Sequence, residues 1–275
     1  MTLGSTLIRL EGSDALAVLH RISTQSLSDL RPGEARTTLF CDFRGRLLHR
    51  AAVGMTPDGT VWLMRDDAPG AELRDFIARH VFREEVRIED RSHAATVRAV
   101  RAGQGLSIAT LAARDGVPCA VRLAGDFGLL IEPGPEAPPD PETESARVRA
   151  GRPRHGYEVR DTFNPFEVGL AHEVHLAKGC FTGQEALMRM VTYRGVRRRL
   201  SRARGPGRAP AVPRGIRQEG ATAGVLTSAV ADESGWIGLA VLKHEACEAT
   251  AILEIEDAGA IEVEAFAESR PLGLP

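Results

Sequence analysis

Between Ala35 and Arg65 the chain runs ARTTLF, RLLHRAAVGM and TVWLMR, separated by the tetrapeptides DFRG and TPDG. The runs are rich in β-branched and apolar residues, and the separators pair aspartate with glycine, residues that accept the backbone angles of tight turns. This stretch reads as an antiparallel meander. A meander with an apolar face has to be covered by another layer, so the rest of the chain must supply helices or a second sheet.

Both are offered. Ser13 and Asp14 are placed to cap a helix running to about Leu27, with Leu16, Leu19 and Ile22 as its apolar stripe. Ala71–His80 reads as a second helix with Leu73, Phe76 and Ile77 on one face, and EVRIED and TVRAV as strands. A helix is expected around Leu106–Ala113, then strands at CAVRLAG and FGLLIEP. Helices and strands alternate irregularly and the strands look antiparallel, so the fold class is α+β. At 275 residues the chain exceeds what one core usually fills, so two or three subdomains are expected.

Two connectors punctuate it. EPGPEAPPDPE, from Glu132 to Glu142, is acidic and too proline-rich to pack. A short helix, TESARVRA, follows it and is stopped by Gly151 and Pro153. RRRLSRARGPGRAPAVPRG, from Arg197 to Gly215, is basic and broken by glycine and proline. The expected organisation is a main region over 1–200, a basic linker over 201–215 and a small all-β barrel over 216–275, built from AGVLTSAV, GWIGLAVL, ATAILEIE and AIEVEAFA.

Arginine is dense from Arg194 to Arg217, but aromatic stacking partners are missing and the net charge is −2, so direct nucleic-acid binding is not expected. A solvated linker, balanced by Glu254, Glu256, Glu262 and Glu264, is the preferred reading. Charges interrupt every apolar run at the N-terminus and no stretch approaches a membrane span, so a cytoplasmic protein is expected. The four cysteines, Cys41, Cys119, Cys180 and Cys247, lie far apart without a CxxC or a Cys-His cluster, so no metal site is expected. Cys119 and Cys247 sit among small and apolar neighbours and read as buried fillers.

Cys180 is different. It lies in LAKGCFTGQEALMRM, where Thr182 and Glu185 have the spacing of a capping box and predict a helix from Gly183. A thiol just before a helix N-terminus, with Lys178 nearby, has its thiolate form favoured. Gly179 permits a tight turn beside it. The same pattern also fits a glycine-dependent loop with an incidental cysteine.

The string KGCFTGQE closely resembles the K-G-C-[FY]-x-G-Q-E signature of the YgfZ family of folate-binding proteins. Upstream, RVRAGRPRHGYEVRDTFNPFEVGL is similar to the R-x-x-x-G-x-P-x-x-G-x-E and P-x-E-x-G-L run of the wider glycine-cleavage aminomethyltransferase superfamily. Downstream, MRMVTYRGVRRRL is similar to the family's continuation, and GSDALAVLHRISTQSLSDLRPGEARTTLFCDFRGRLL has the look of its N-terminal region. The resemblance runs from about Leu10 to Ala240.

What it implies is an aminomethyltransferase-like fold, with two α+β subdomains and a C-terminal β-barrel around a central channel for tetrahydrofolate. The function implied is an accessory role in iron–sulfur cluster assembly or repair, with cluster proteins as partners and consequences for transfer-RNA thiolation. Cys180 and Lys178 become the reactive pair, by thiol chemistry, transient cluster contact or reaction with a one-carbon adduct. Glu167 could accept two parallel hydrogen bonds from a pterin. Tyr157 or Phe163 could stack on it or belong to the core. Arg189 or Arg194 could receive folate's anionic tail. The chain departs from the superfamily where true transferases carry G-x-I-L-D-D. Here the run is Gly45-Arg46-Leu47-Leu48-His49-Arg50, so His49 and Arg50 stand in the acidic positions. Neither can be the carboxylate that assists a folate amine, which puts aminomethyl transfer in doubt. His49 is either an ordinary strand histidine or a channel residue.

Overall fold

The computed structural model describes residues 4–101, 111–122, 127–134, 141–193, 195–247, 252–256 and 259–274. The first sheet contains β1 (Thr6–Glu11), β2 (Ala35–Cys41), β3 (Leu47–Met55), β4 (Val61–Arg65) and β5 (Arg87–Asp90), in the order β2-β3-β4-β1-β5, with every pair antiparallel. Helices α1 (Ala15–Ile22) and α2 (Gly70–Ala78) belong to this unit. The second sheet contains β6 (Ala95–Arg101), β7 (Leu111–Arg114), β8 (Val117–Arg122) and β9 (Phe127–Pro133), in the order β6-β9-β8-β7.

Strand periodicity decides which layer each side chain meets. Along β1, Leu7 faces the second sheet while Ile8 and Leu10 face the helices. Along β4, Trp62 and Met64 face the second sheet while Val61 and Leu63 face the helices. The first sheet is thus the middle layer of three, apolar on both faces.

Helix α3 (Pro141–Arg149) leads into a long irregular segment, interrupted by one 3-10 turn at Ala171–Glu173, and then into α4 (Gln184–Thr192). The segment is nevertheless well packed. Val148, Val159, Phe163, Val168, Leu170, Val174, Leu176 and Phe181 share a core with Leu39, Cys41 and Leu47 of the β2–β3 hairpin and with the outer face of a barrel. That barrel is closed, in the order β10 (Arg198–Gly205), β13 (Gly235–Lys243), β12 (Ala221–Asp232), β11 (Arg214–Gln218), β14 (Leu253–Ile255) and β15 (Gly259–Ala265). Along β13, Ile237, Leu239 and Val241 point outward to the irregular segment, while Trp236, Ala240 and Leu242 fill the barrel. No described helix is long and apolar enough to cross a membrane.

Several local expectations need correction. The basic stretch is no linker at its start: Arg198–Gly205 is a barrel strand paired on both edges, so the barrel begins at Arg198 rather than at 216. Leu200, Ser201 and Ala203 are buried there, and Arg202 is neutralised across the sheet by Glu264 at 2.6 Å. Leu111–Arg114 is a strand, not the end of a helix, because it pairs with β8; residues 106–110 of that expected helix lie outside the described residues. Helix α1 stops at Ile22, and the Asp14 carboxylate accepts the Glu85 amide at 2.8 Å instead of capping its own helix. Cys119 and Cys247 are half-buried rather than buried, whereas Cys41 is buried.

Candidate functional site

The KGCFTGQE loop is held by backbone geometry. The Thr182 side chain makes no cap: Gly183 occupies the N-cap position with φ +85°, and the helix starts at Gln184. The left-handed turn at Gly183 removes Thr182 from capping position, and Glu185 pairs instead with Arg189 one turn on. A Cβ on Gly183 would lie 2.5 Å from the Asp42 carbonyl oxygen, so the β2–β3 turn and the start of α4 touch through their backbones. A Cβ on Gly45 of that turn would lie 3.0 Å from the Leu187 side chain. The neck of the loop is closed by Gln184 Nε2 donating to the Leu176 carbonyl at 2.9 Å.

Lys178 is fixed by a reciprocal arrangement with His20. The lysine Nζ donates to the His20 carbonyl, and the His20 Nε2 lies 3.1 Å from the Lys178 carbonyl. His20 Nδ1 accepts the amides of Leu27 at 3.0 Å and Ser28 at 3.2 Å. Those donors require a bare Nδ1, which puts the ring proton on Nε2 and makes it the donor to Lys178. Burial and the Lys178 charge lower the His20 pKa. Burial also lowers the Lys178 pKa to about 8, and its Nζ sits 5.2 Å from the centre of the Phe181 ring. Between these fixed points Gly179 takes φ +110° and Cys180 is exposed as a free thiol.

A ring of buried ion pairs occupies the centre of the molecule. Arg50 on β3 gives Nε to both oxygens of Glu173, at 3.1 and 3.0 Å, and Nη2 at 2.5 Å. Burial would raise the Glu173 pKa, but Arg50 outweighs it and holds the carboxyl below its ordinary value. Beside it Arg152 grips Asp66 with two bonds, at 3.0 and 2.5 Å. Burial would likewise raise Asp66, and Arg152 reverses the sign. Arg50, Asp66 and Arg152, together with Thr37, Met64 and Asp67, line a cavity of about 20 Å³, room for about one water.

His49 lies on the other face of β3, under α2. Its ring meets Phe76 edge-on at 5.5 Å, stacks parallel to His155 at 5.7 Å, and has the Arg65 Nη1 3.4 Å from Nδ1. Burial first, then Arg65, depresses its pKa to about 3. The residue of the pair that faces the small cavity is therefore Arg50, not His49. Donor atoms of His49, His155 and Glu72 lie within 4.8 Å of one another. The arrangement resists a cation nonetheless: parallel rings cannot both direct in-plane lone pairs to one point, and the Arg65 guanidinium is adjacent.

Glu167 is 5% exposed and its carboxylate is already engaged. Arg198 binds it with two bonds, at 2.8 and 3.1 Å, Arg46 approaches to 3.5 Å, and the Asn164 amide donates at 3.1 Å. It borders an open cleft of about 730 Å³, also lined by Arg46, Arg197, Arg198, Lys243 and His244. Phe163 is 1% exposed and part of the core, with Arg198 over its ring. Tyr157 is half-buried with Arg154 over its ring at 4.4 Å. Arg189 is exposed and tied to Glu185, and it does not line the cleft as its neighbour Met190 does. Arg194 lies outside the described residues.

Tetrahydrofolate can be tested against these two places. The central ring, at about 20 Å³, does not admit a pterin. The Glu167 cleft has the volume of a small-molecule site, and its cations suit the carboxylates of a glutamyl tail. Its one buried carboxylate is committed to arginines, so the cleft fits the anionic end of folate and not the pterin end. The central ring itself escaped sequence reasoning. Arg50 and Glu173 are 123 residues apart, and Asp66 and Arg152 are 86 apart. The only sequence signal was the Asp66-Asp67 doublet directly after a strand.

No family model matches the chain. The fold is similar to that of the glycine cleavage system aminomethyltransferase T from Bartonella henselae: TM-score 0.78 over 98% of this chain and 85% of that one, at 16% identity. The chain therefore has an aminomethyltransferase-like α+β fold with a closed C-terminal barrel. In sequence it is 37% identical over 106 residues to a chloroplastic protein of Arabidopsis thaliana named as a transferase. That match covers 38% of this chain and 24% of the relative, so the chain matches only about a quarter of that protein's length.

Proposed function

We propose that this chain is a tetrahydrofolate-binding accessory protein that supports iron–sulfur cluster assembly or repair, and thereby cluster-dependent enzymes such as those that thiolate transfer RNA. The observation that carries the reading is Arg50. One-carbon transfer to a folate nitrogen calls for a carboxylate free to hold or accept the amine proton. At the strand position where that acid is expected stands a guanidinium, and it ties up Glu173. Asp66 is tied up in the same way by Arg152. Carboxylates fixed in buried ion pairs are poor bases, which favours binding over turnover.

Arg46, Arg197, Arg198 and Lys243 would hold the folate carboxylates, and bound folate would supply a one-carbon carrier. Lys178 and the exposed Cys180 would form the contact surface for a partner. The KGCFTGQE resemblance supports this assignment. The test is a calorimetric titration with tetrahydrofolate, set beside complementation of cluster-enzyme activity in cells lacking the protein. Cys180→Ser should fold and bind folate but fail to complement. Full complementation removes the thiol from the mechanism, and absence of folate binding removes the reading.

A second reading, a folate-dependent one-carbon transferase, is favoured by the Asp66-Asp67 doublet at the central cavity, since Asp67 is not in the Arg152 pair. Methylenetetrahydrofolate formed from tetrahydrofolate and a methylamine donor would establish it over the first.

A further inference from the structure

We propose that the cavity between the first and second sheets, remote in sequence from the Glu167 cleft and the Cys180 loop, binds a small amphipathic carboxylate. The cavity has a volume of about 780 Å³, within the range of small-molecule sites. Leu7 and Trp62 of the first sheet and Val117, Leu130 and Ile131 of the second give it a largely apolar wall.

Two donors on this wall are buried without an acceptor among the described residues. One is the indole Nε1 of Trp62, a residue only 3% exposed, and the other is Nε of Arg9. They belong together, because the Arg9 guanidinium lies 5.9 Å from the centre of the Trp62 ring. Buried donors in folded proteins are almost always paired, so an unpaired couple on a cavity wall marks where an acceptor is missing. The lining does not supply it. Asp58 is committed to the Thr56 hydroxyl at 2.6 Å and the Thr60 amide at 3.1 Å.

The charge balance of the lining points the same way. It carries Arg9, Arg91 and Arg114 against Asp58 and Asp115, with Arg9 already joined to Glu11 at 2.7 Å through Nη2. Arg114 has no acidic partner among the described residues, and Arg91 is joined to Glu89 through Nε alone. An occupant that satisfies the wall therefore has an apolar body and an anionic, acceptor-only head. A medium-chain or aromatic monocarboxylate meets both conditions, while a neutral lipid or alcohol meets only the first. Cys119, half-buried in the same wall, is a built-in reporter.

The test uses the full chain with decanoate as probe and decanol as its uncharged counterpart. Iodoacetamide alkylation is followed at each cysteine by peptide mass spectrometry. Decanoate should slow alkylation of Cys119 saturably and leave the exposed Cys180 unchanged, and decanol should protect about tenfold less well. Trp62→Phe keeps an aromatic wall and removes the N–H, and decanoate should bind it about tenfold more weakly. If that variant does not fold, Arg114→Gln, at an exposed position, should weaken decanoate without affecting decanol. Absence of saturable protection, equal protection of Cys119 and Cys180, or decanol matching decanoate overturns the proposal.

Discussion

Replacing Arg50 with methionine tests the central ring most directly. Methionine retains most of the aliphatic stem and removes the charge. Glu173, 1% exposed, would keep its negative charge with the hydroxyl of Thr37 and the half-exposed His172 as its nearest help. Breaking a buried pair by deleting one partner costs about 3–5 kcal/mol, because the other charge stays desolvated. That magnitude should appear at pH 7 as a lower denaturation midpoint. Trp62 lies in the core between the two sheets and Trp236 fills the barrel, so tryptophan emission reports on both ends of the molecule. The pH dependence separates this cause from simple loss of packing. In the parent protein the Glu173 pKa is depressed when folded, so its stabilisation is present above the unfolded carboxyl value of about 4.3 and fades as pH falls through the folded value. In the variant, burial without Arg50 raises the folded pKa instead. Its destabilisation is then full above that raised value and shrinks as pH falls and the carboxyl becomes protonated. The gap between the two proteins should therefore narrow from pH 7 toward pH 4.5, and Glu173→Gln added to Arg50→Met should recover part of it at pH 7. A deficit under about 1 kcal/mol, or one that stays constant with pH, would refute the buried-pair account.

Gly183→Ala should destabilise by about 2–4 kcal/mol, since a left-handed residue gains a Cβ that meets a backbone oxygen; urea denaturation measures it, and a neutral result would mean the hairpin and α4 do not touch there. Lys178, with its pKa lowered to about 8 by burial, should acylate with acetic anhydride at a pH midpoint near 8, well below exposed lysines; site-resolved mass spectrometry gives the profile. Because the folded state releases that proton before the unfolded one does at about 10.4, the melting temperature should gain with rising pH between those values, and Lys178→Met should lose the gain. His20→Asn keeps an acceptor at the Nδ1 position for the two amides but lacks the Nε2–H that reaches the Lys178 carbonyl, so it should loosen the Lys178 loop, seen as faster amide exchange at Gly179 and Cys180.

Locally encoded features of the fold were legible. The DFRG and TPDG turns and the period of two in β3 and β4 produce the β2-β3-β4 meander as read, and Leu73, Phe76 and Ile77 bury α2 as expected. What failed was decided at a distance. Arg198–Gly205 has a linker's composition, and only its pairing with β13 and β15 makes it a strand. Thr182-x-x-Glu185 has the spacing of a capping box, but the approach of Asp42 to Gly183 imposes a turn that defeats it. At the site, the His49-Arg50 substitution was visible as chemistry. The alternation of a strand then decides that Arg50 faces the cavity and His49 faces α2, and no pattern within the sequence announced Glu173 as the partner.

The two halves of the candidate site are built for opposite ends, and the contrast bears on what Cys180 can do. The central ring leaves room for about one water between paired charges, so widening it requires breaking strong, largely buried contacts. The loop carrying Cys180 is anchored on both sides, at Lys178 by His20 and at Gln184 by Leu176, yet leaves the thiol between them exposed. A group presented outward on a fixed loop incurs little ordering cost when a partner docks on it. A thiol meant to act on a substrate inside the molecule gains nothing from that arrangement. On the proposed function this arrangement would suit Cys180 as a point of contact with another macromolecule better than as a nucleophile in an internal cavity, and the rigidity of the loop, set by His20 and Gly183, would be the property on which such a contact depends.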